Sequence, residues 1–156
     1  MKRWAIIWIC VLSLPGFWAR TAFAENKTPA QLEADYDREK NPKKRVKIAT
    51  QLTDERLKEV LSAYETQDAE KAKEKVENYL AGVDRLEKAI HEIPGSGASK
   101  ESEIHLRRQA WSLENLKMSV PWGERAPVEE ALSRVTKLHE EVLYSIMNPR
   151  KPREKQ

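Results

Sequence analysis

The stretch Asp68–Ile93, DAEKAKEKVENYLAGVDRLEKAIHEI, decides the fold class. Its apolar residues Ala72, Val76, Tyr79, Leu80, Val83, Leu86, Ile90 and Ile93 recur mostly at three- and four-residue steps. That spacing stacks side chains on one face of an α-helix. Lys and Glu occupy most of the remaining positions, the composition of a solvated face. Asp68 opens the segment with a short side chain suited to accept from a first-turn amide, which predicts the helix start there.

Immediately upstream, Asn41-Pro42 pairs a capping side chain with a proline in the first helical turn. The helix it opens carries Ile48, Leu52, Leu57, Val60, Leu61 and Tyr64 on one stripe. The stripe thins before Leu57, so Thr53 is an alternative start. Only a few residues around Gln67 separate this helix from the next, which predicts an antiparallel hairpin over 42–93.

Further out, Thr28-Pro29 predicts a short helix to about Lys40. Pro94-Gly95-Ser96-Gly97-Ala98-Ser99 reads as a loop. A helix from Lys100 to about Ser119 has apolar residues on two adjoining lines: Ile104, Trp111 and Met118, then Leu106, Ala110, Leu113 and Leu116. This predicts a broad buried face with Trp111 filling core volume. Pro121-Trp122-Gly123 ends it, with Trp122 expected to plug the end of the core; an exposed contact is the alternative. Ala126-Pro127 opens the last helix, whose stripe is Val128, Ala131, Leu132, Val135, Leu138, Val142, Leu143 and Ile146.

Nothing alternates with period two, so the expected class is all-α. The expected architecture is antiparallel helical hairpins, 42–93 and 100–147, in an up-down four-helix bundle with a short extra N-terminal helix. Two separate hairpins in a more open shape are the alternative. The domain spans 25–148, and 149–156, with Arg150, Lys151, Arg153 and Lys155, is expected to be a disordered basic tail.

Residues 1–24 have the three parts of an export signal. Lys2 and Arg3 precede an apolar run from Trp4, Pro15-Gly16 breaks it, and Ala22-Phe23-Ala24 is a small-x-small cleavage site. Cleavage between Ala24 and Glu25 is the expectation, placing the mature chain in the periplasm or outside the cell. The run to Ala19 is about 16 residues, short of the ~20 needed to span a bilayer. Cys10 sits in mid-run after Ile9, unlike a lipid-attachment cysteine, which follows a small residue.

The segment removed holds Lys2, Arg3 and Arg20 and no acid. The 28 basic residues of the whole chain less these three equal its 25 acidic ones, so the net charge of +3 belongs to the signal. A balanced mature chain lacks the basic surface that nucleic-acid binding needs first. The single cysteine leaves too, and with it any disulfide, thiolate nucleophile or cysteine metal site.

No catalytic or cofactor-binding residue is assigned. His91-Glu92 and His139-Glu140 each begin a zinc-helix motif but lack the second histidine. The loop at 94–99 turns the chain back, which would allow His91 to approach His105 with Glu92, Glu101 or Glu103 as further metal ligands. The expectation instead is no metal and surface or interface histidines. There is no Gly-x-Ser-x-Gly elbow, and the Gly95-Ser96-Gly97 segment follows a helix and lacks a phosphate-loop lysine. Tetratricopeptide repeats are excluded by the absence of their ~34-residue period.

The hairpin resembles helical domains of unknown function in exported or membrane-tethered bacterial proteins. The resemblance rests on Lys43, Lys44 and Arg45, then Leu52 with Arg56-Leu57, the turn Asp68-Ala69, and Tyr79 with Asp84-Arg85-Leu86. It covers about a third of the chain and implies no activity. Leu52-Thr53-Asp54-Glu55-Arg56 is similar to the Leu-Thr-x-x-Gln motif of small periplasmic stress proteins and chaperones, with Arg56 in place of glutamine and no second copy. Two functions are therefore expected to compete. One is a non-catalytic structural or interaction protein of the bacterial envelope, binding a protein partner not named by the sequence. The other is a periplasmic chaperone-like or stress-responsive binder, which an exposed apolar concavity would favour.

Overall fold

The computed structural model describes residues 27–93 and 100–148. The expected signal segment with its Ala24–Glu25 junction, the expected loop at 94–99 and the expected tail at 149–156 lie outside the described residues. Five helices form: α1 (Pro29–Arg38), α2 (Pro42–Glu65), α3 (Ala69–His91), α4 (Lys100–Ser119) and α5 (Ala126–Met147), with a 3-10 turn at Trp122–Glu124 before α5. No strand occurs among the described residues. The chain is all-helical.

The starts of the first three helices follow local chemistry. The Thr28 hydroxyl accepts from the Gln31 amide while the Gln31 side chain accepts from the Thr28 amide, a reciprocal capping box. Asn41 Oδ1 accepts from the amides of Lys43 and Lys44, and Asp68 Oδ1 accepts from that of Lys71. Each such cap stabilises a helix by about 0.5–2 kcal/mol. With Asn41 capped, α2 runs unbroken through Thr53, so Thr53 is not a helix start. Between α2 and α3 the chain reverses at Gln67, which takes the left-handed conformation with φ of 56°. A residue there ends a helix sharply and satisfies its last carbonyls; the Gln67 amide donates to the Tyr64 carbonyl.

The α2–α3 hairpin has the most extensive interface, and α4 with α5 forms the second. Val60 of α2 shares one buried cluster with Val76, Tyr79, Val83 and Leu86 of α3, and the buried Leu52 packs beside Gly82. Burying a side chain of this size contributes about 1.5–3 kcal/mol. At Gly82 the two helices come close: a Cβ there would lie 3.4 Å from Thr53 Cγ2. α1 lies across this hairpin. Its Leu32 and Tyr36 are buried, the Tyr36 hydroxyl donates to the Arg85 carbonyl at 2.9 Å, and the Arg45 guanidinium sits 4.4 Å from the Tyr36 ring centroid. Glu33 pairs with both Arg56 and Arg85.

The two hairpins join along α3–α5 and, less extensively, α2–α4. Arg134 of α5 pairs with Asp84 and Glu87 of α3, and Glu141 lies beside His91. Residue numbers rise together on both helices, so α3 and α5 run parallel. The same holds for α2 and α4, where Thr53 meets His105 and Leu61 shares a groove with Trp111.

One expected face is displaced. On α4 the buried residues are Ser102, His105, Leu106, Gln109, Leu113 and Leu116, whereas Trp111 and Met118 are each 68% exposed and Ile104 is half-buried. Trp111 does not fill the core. The helix is turned so that His105 and Gln109, one turn apart, point inward to polar partners on α2 and α3. That rotation carries the Ile104–Trp111–Met118 line outward. Nor does Trp122 plug the end: it is 81% exposed, with the Arg125 guanidinium 5.4 Å from its ring, and neighbouring Val120 is buried instead. On α5, Leu143 also lies outside the buried face.

Candidate functional site

Three features carry chemistry beyond packing. The first is a groove of about 900 Å³ between the C-terminal halves of α2 and α4. Leu61 and Tyr64 form one wall, Trp111 and Leu116 the other, and Val120 with Pro121 closes the lower end. Ser112, Asn115 and Ser119 line it along α4 at helical spacing, and Glu65 and Glu124 supply carboxylates. The groove exists because α2 and α4 have the lightest of the four interfaces that join α2–α5. Large exposed aromatics at a concave surface are the side chains that most often anchor a protein partner.

The second feature is a chain of polar groups linking α2, α3 and α4, buried except at the Asp54 carboxylate. The Thr53 hydroxyl donates to the Thr50 carbonyl at 2.9 Å, so towards His105 Nε2, also at 2.9 Å, it accepts. That bonding places the neutral-ring proton on Nε2. His105 Nδ1 then faces Asp54 Oδ1 at 3.6 Å. The Gln109 amide group donates to Asp54 at 2.8 Å and accepts from the Tyr79 hydroxyl at 2.6 Å. Burial pushes the His105 pKa below its usual value, with Asp54 acting against that shift and Arg108 reinforcing it. Burial likewise raises the Tyr79 phenol well above its ordinary range.

Thr53, His105 and Asp54 are the residue types of a hydroxyl–imidazole–carboxylate relay. Here the hydroxyl is 1% exposed and its proton is already committed to Thr50. It is not offered to a substrate. The chain's evident role is to satisfy polar groups held in the core, where each unpaired one would cost about 1–3 kcal/mol. His105, expected at a surface or interface, is instead buried, with Nε2 against the Thr53 hydroxyl and Nδ1 3.6 Å from the Asp54 carboxylate.

The third feature is a cluster of Glu87, His91 and Glu141, whose nearest ligand atoms all lie within 4.8 Å of one another. Glu87 and His91 are one turn apart on α3, and the parallel α5 supplies Glu141. Such a set can offer three donors to a divalent ion, although Arg134 holds Glu87 at 2.8 Å. The sequence shows the Glu87–His91 spacing; the third member depends on how α3 and α5 align. His91 and His105 do not form the site considered from sequence, since His91 turns to α5 and His105 to α2. His139 bonds Glu103 across the α4–α5 interface at 3.0 Å, and that bond holds the Glu103 carboxyl below its usual pKa.

No helix among the described residues is long and apolar enough to cross a membrane. Comparison with family models, curated proteins and solved structures finds no match to this chain.

Proposed function

We propose that the chain is an exported, non-catalytic helical protein of the bacterial envelope that binds a protein partner in the α2–α4 groove. The observation that carries this reading is Trp111. A tryptophan on an otherwise core-forming helix stands 68% exposed at a concave surface. Exposing so large an apolar side chain forgoes about 1.5–3 kcal/mol of burial, which a bound partner recovers. Export is supported by the signal-like residues 1–24. The same reading takes α2–α5 as an up-down four-helix bundle, supported by the alternating chain direction and the four helix pairings. Its cross-hairpin neighbours run parallel.

The test is site-specific photo-crosslinking in the producing cell, with the crosslinker at Asn115 in the groove or at Lys73 on the exposed face of α3. A discrete adduct from position 115 that is lost with Trp111→Ala supports the reading. Equal adducts from both positions, or none from 115, overturn it. Intact mass tests export: the exported form should begin at Glu25, and retention of Met1 in a membrane fraction would reject cleavage.

The apolar walls of the groove also favour the chaperone-like reading, in which clients are many rather than one. Suppression of light scattering from an aggregating client at stoichiometric amounts supports it; no suppression excludes it.

A further inference from the structure

We propose that the groove selects a protein segment carrying lysine or arginine beside an apolar anchor residue. This deepens the partner-binding reading and rests on it. The apolar part follows from the walls: Leu61, Tyr64, Trp111 and Leu116 leave an open slot between two parallel helices. A slot of that kind takes the side chains of a peptide or helix as anchors. A small molecule is disfavoured, because such ligands bury most of their surface and Trp111 leaves one wall largely in solvent.

The basic part follows from the charges. Among the described residues, Glu65 and Glu124 line the groove, and no lysine or arginine does. Two cations on the segments that border its lower end are engaged, while Arg108 lies one turn above Trp111 on α4. Lys117 pairs with Glu114 at 2.8 Å, and Arg125 donates to the Val120 carbonyl at 2.9 Å while its guanidinium faces Trp122. The Glu124 charge reaches the Tyr64 phenol, adding to the rise that burial causes in its pKa. One end of the slot is thus negative at its surface. The Trp111 ring, 68% exposed, adds an attraction for cations. On the α4 wall Ser112, Asn115 and Ser119 repeat at i, i+3 and i+7, a row of polar groups along which a backbone can lie.

The experiment uses the mature protein with Trp122→Phe, which leaves Trp111 as its only tryptophan because the other three lie in residues 1–24. Short synthetic peptides are titrated while Trp111 emission is followed. One set places Lys and Arg around Leu or Phe; a second replaces the bases by Glu; a third replaces them by Ser. The basic-apolar set should shift the emission to the blue and bind tightest. Adding Glu65→Gln with Glu124→Gln should weaken it about threefold to tenfold at low ionic strength. The difference should vanish near about 0.5 M salt. Unchanged affinity in the double variant, with circular dichroism matching the parent, overturns the charge selection. Equal binding of the acidic or neutral set overturns it too, while leaving groove binding in place. If no peptide shifts Trp111, this proposal fails; the partner-binding reading then stands or falls on the crosslink from Asn115.

Discussion

α3 and α4 have similar lengths and charge, yet the sequence is a good guide to the whole buried face of one and to only half of that of the other. On α3 every expected apolar position is buried or half-buried, with Ala72, Val76, Tyr79, Val83, Leu86 and Ile90 in the core. On α4 the expected line Leu106–Ala110–Leu113–Leu116 is buried or half-buried, but the adjoining line Ile104–Trp111–Met118 faces largely outward while His105 and Gln109 are 5% and 2% exposed. The difference lies in what each core face can bond to. α3 offers its neighbours little besides carbon, plus the single Tyr79 hydroxyl. α4 is oriented by hydrogen bonds to Thr53, Asp54 and Tyr79, so its inner side joins the Leu106–Leu113–Leu116 line to the polar pair His105 and Gln109.

The contrast can be broken in several places. The largest effect should come from Leu86→Ala on α3, which removes a fully buried side chain and leaves a cavity. A loss of about 2–5 kcal/mol is expected, measured by urea unfolding followed by circular dichroism. An unshifted midpoint would show that α3 does not anchor the core.

Gln109→Ala should cost somewhat less, about 1–3 kcal/mol, because it strands the buried Tyr79 hydroxyl and removes a donor to Asp54. Adding Tyr79→Phe should then be cheaper than the same change in the parent protein. Additive losses in that cycle would mean the two groups are not coupled.

The histidine gives a pH signature. The folded-state pKa of His105 lies below its ordinary value of 6.5, so the unfolded chain binds the extra proton first. The stability linked to this group is therefore complete above about pH 6.5 and is lost as pH falls below it. Unfolding free energies at pH 7.5 and 5.5 should differ more in the parent than in His105→Gln. An equal difference in both would show that His105 makes no contribution.

The smallest effect is expected at the outward tryptophan. Trp111→Ala should change stability by less than about 0.5 kcal/mol, and a loss of core size would return Trp111 to the interior. Together with Leu86→Ala it tests which face of each helix is buried.

Much of the fold was legible because its cues are local. Thr28, Asn41 and Asp68 begin helices through bonds to amides within three residues, and Gln67 reverses the chain within one turn. The site was less legible. Trp111 reads as core in any scale that counts carbon, and only the pairing of Gln109 with Tyr79 and Asp54 reveals that it cannot be. Glu141 lies 50 residues beyond His91, and no spacing in the sequence brings it there. A signal did exist on α4: Ser102, His105, Leu106, Gln109, Leu113 and Leu116 keep helical steps, but polar members had to be admitted to the face.

What the sequence determined by itself is the helical class, the helix starts and the hairpin over 42–93. These depend on neighbours along the chain, whose distances are set by covalent geometry. What only the tertiary structure decided is the rotation of α4, the parallel contact of α3 with α5 and the opening of the groove at Trp111. Those follow from long-range contacts, among them the buried bonds of His105 and Gln109 and the surface ion pairs of Arg134, whose partners a helical pattern does not name.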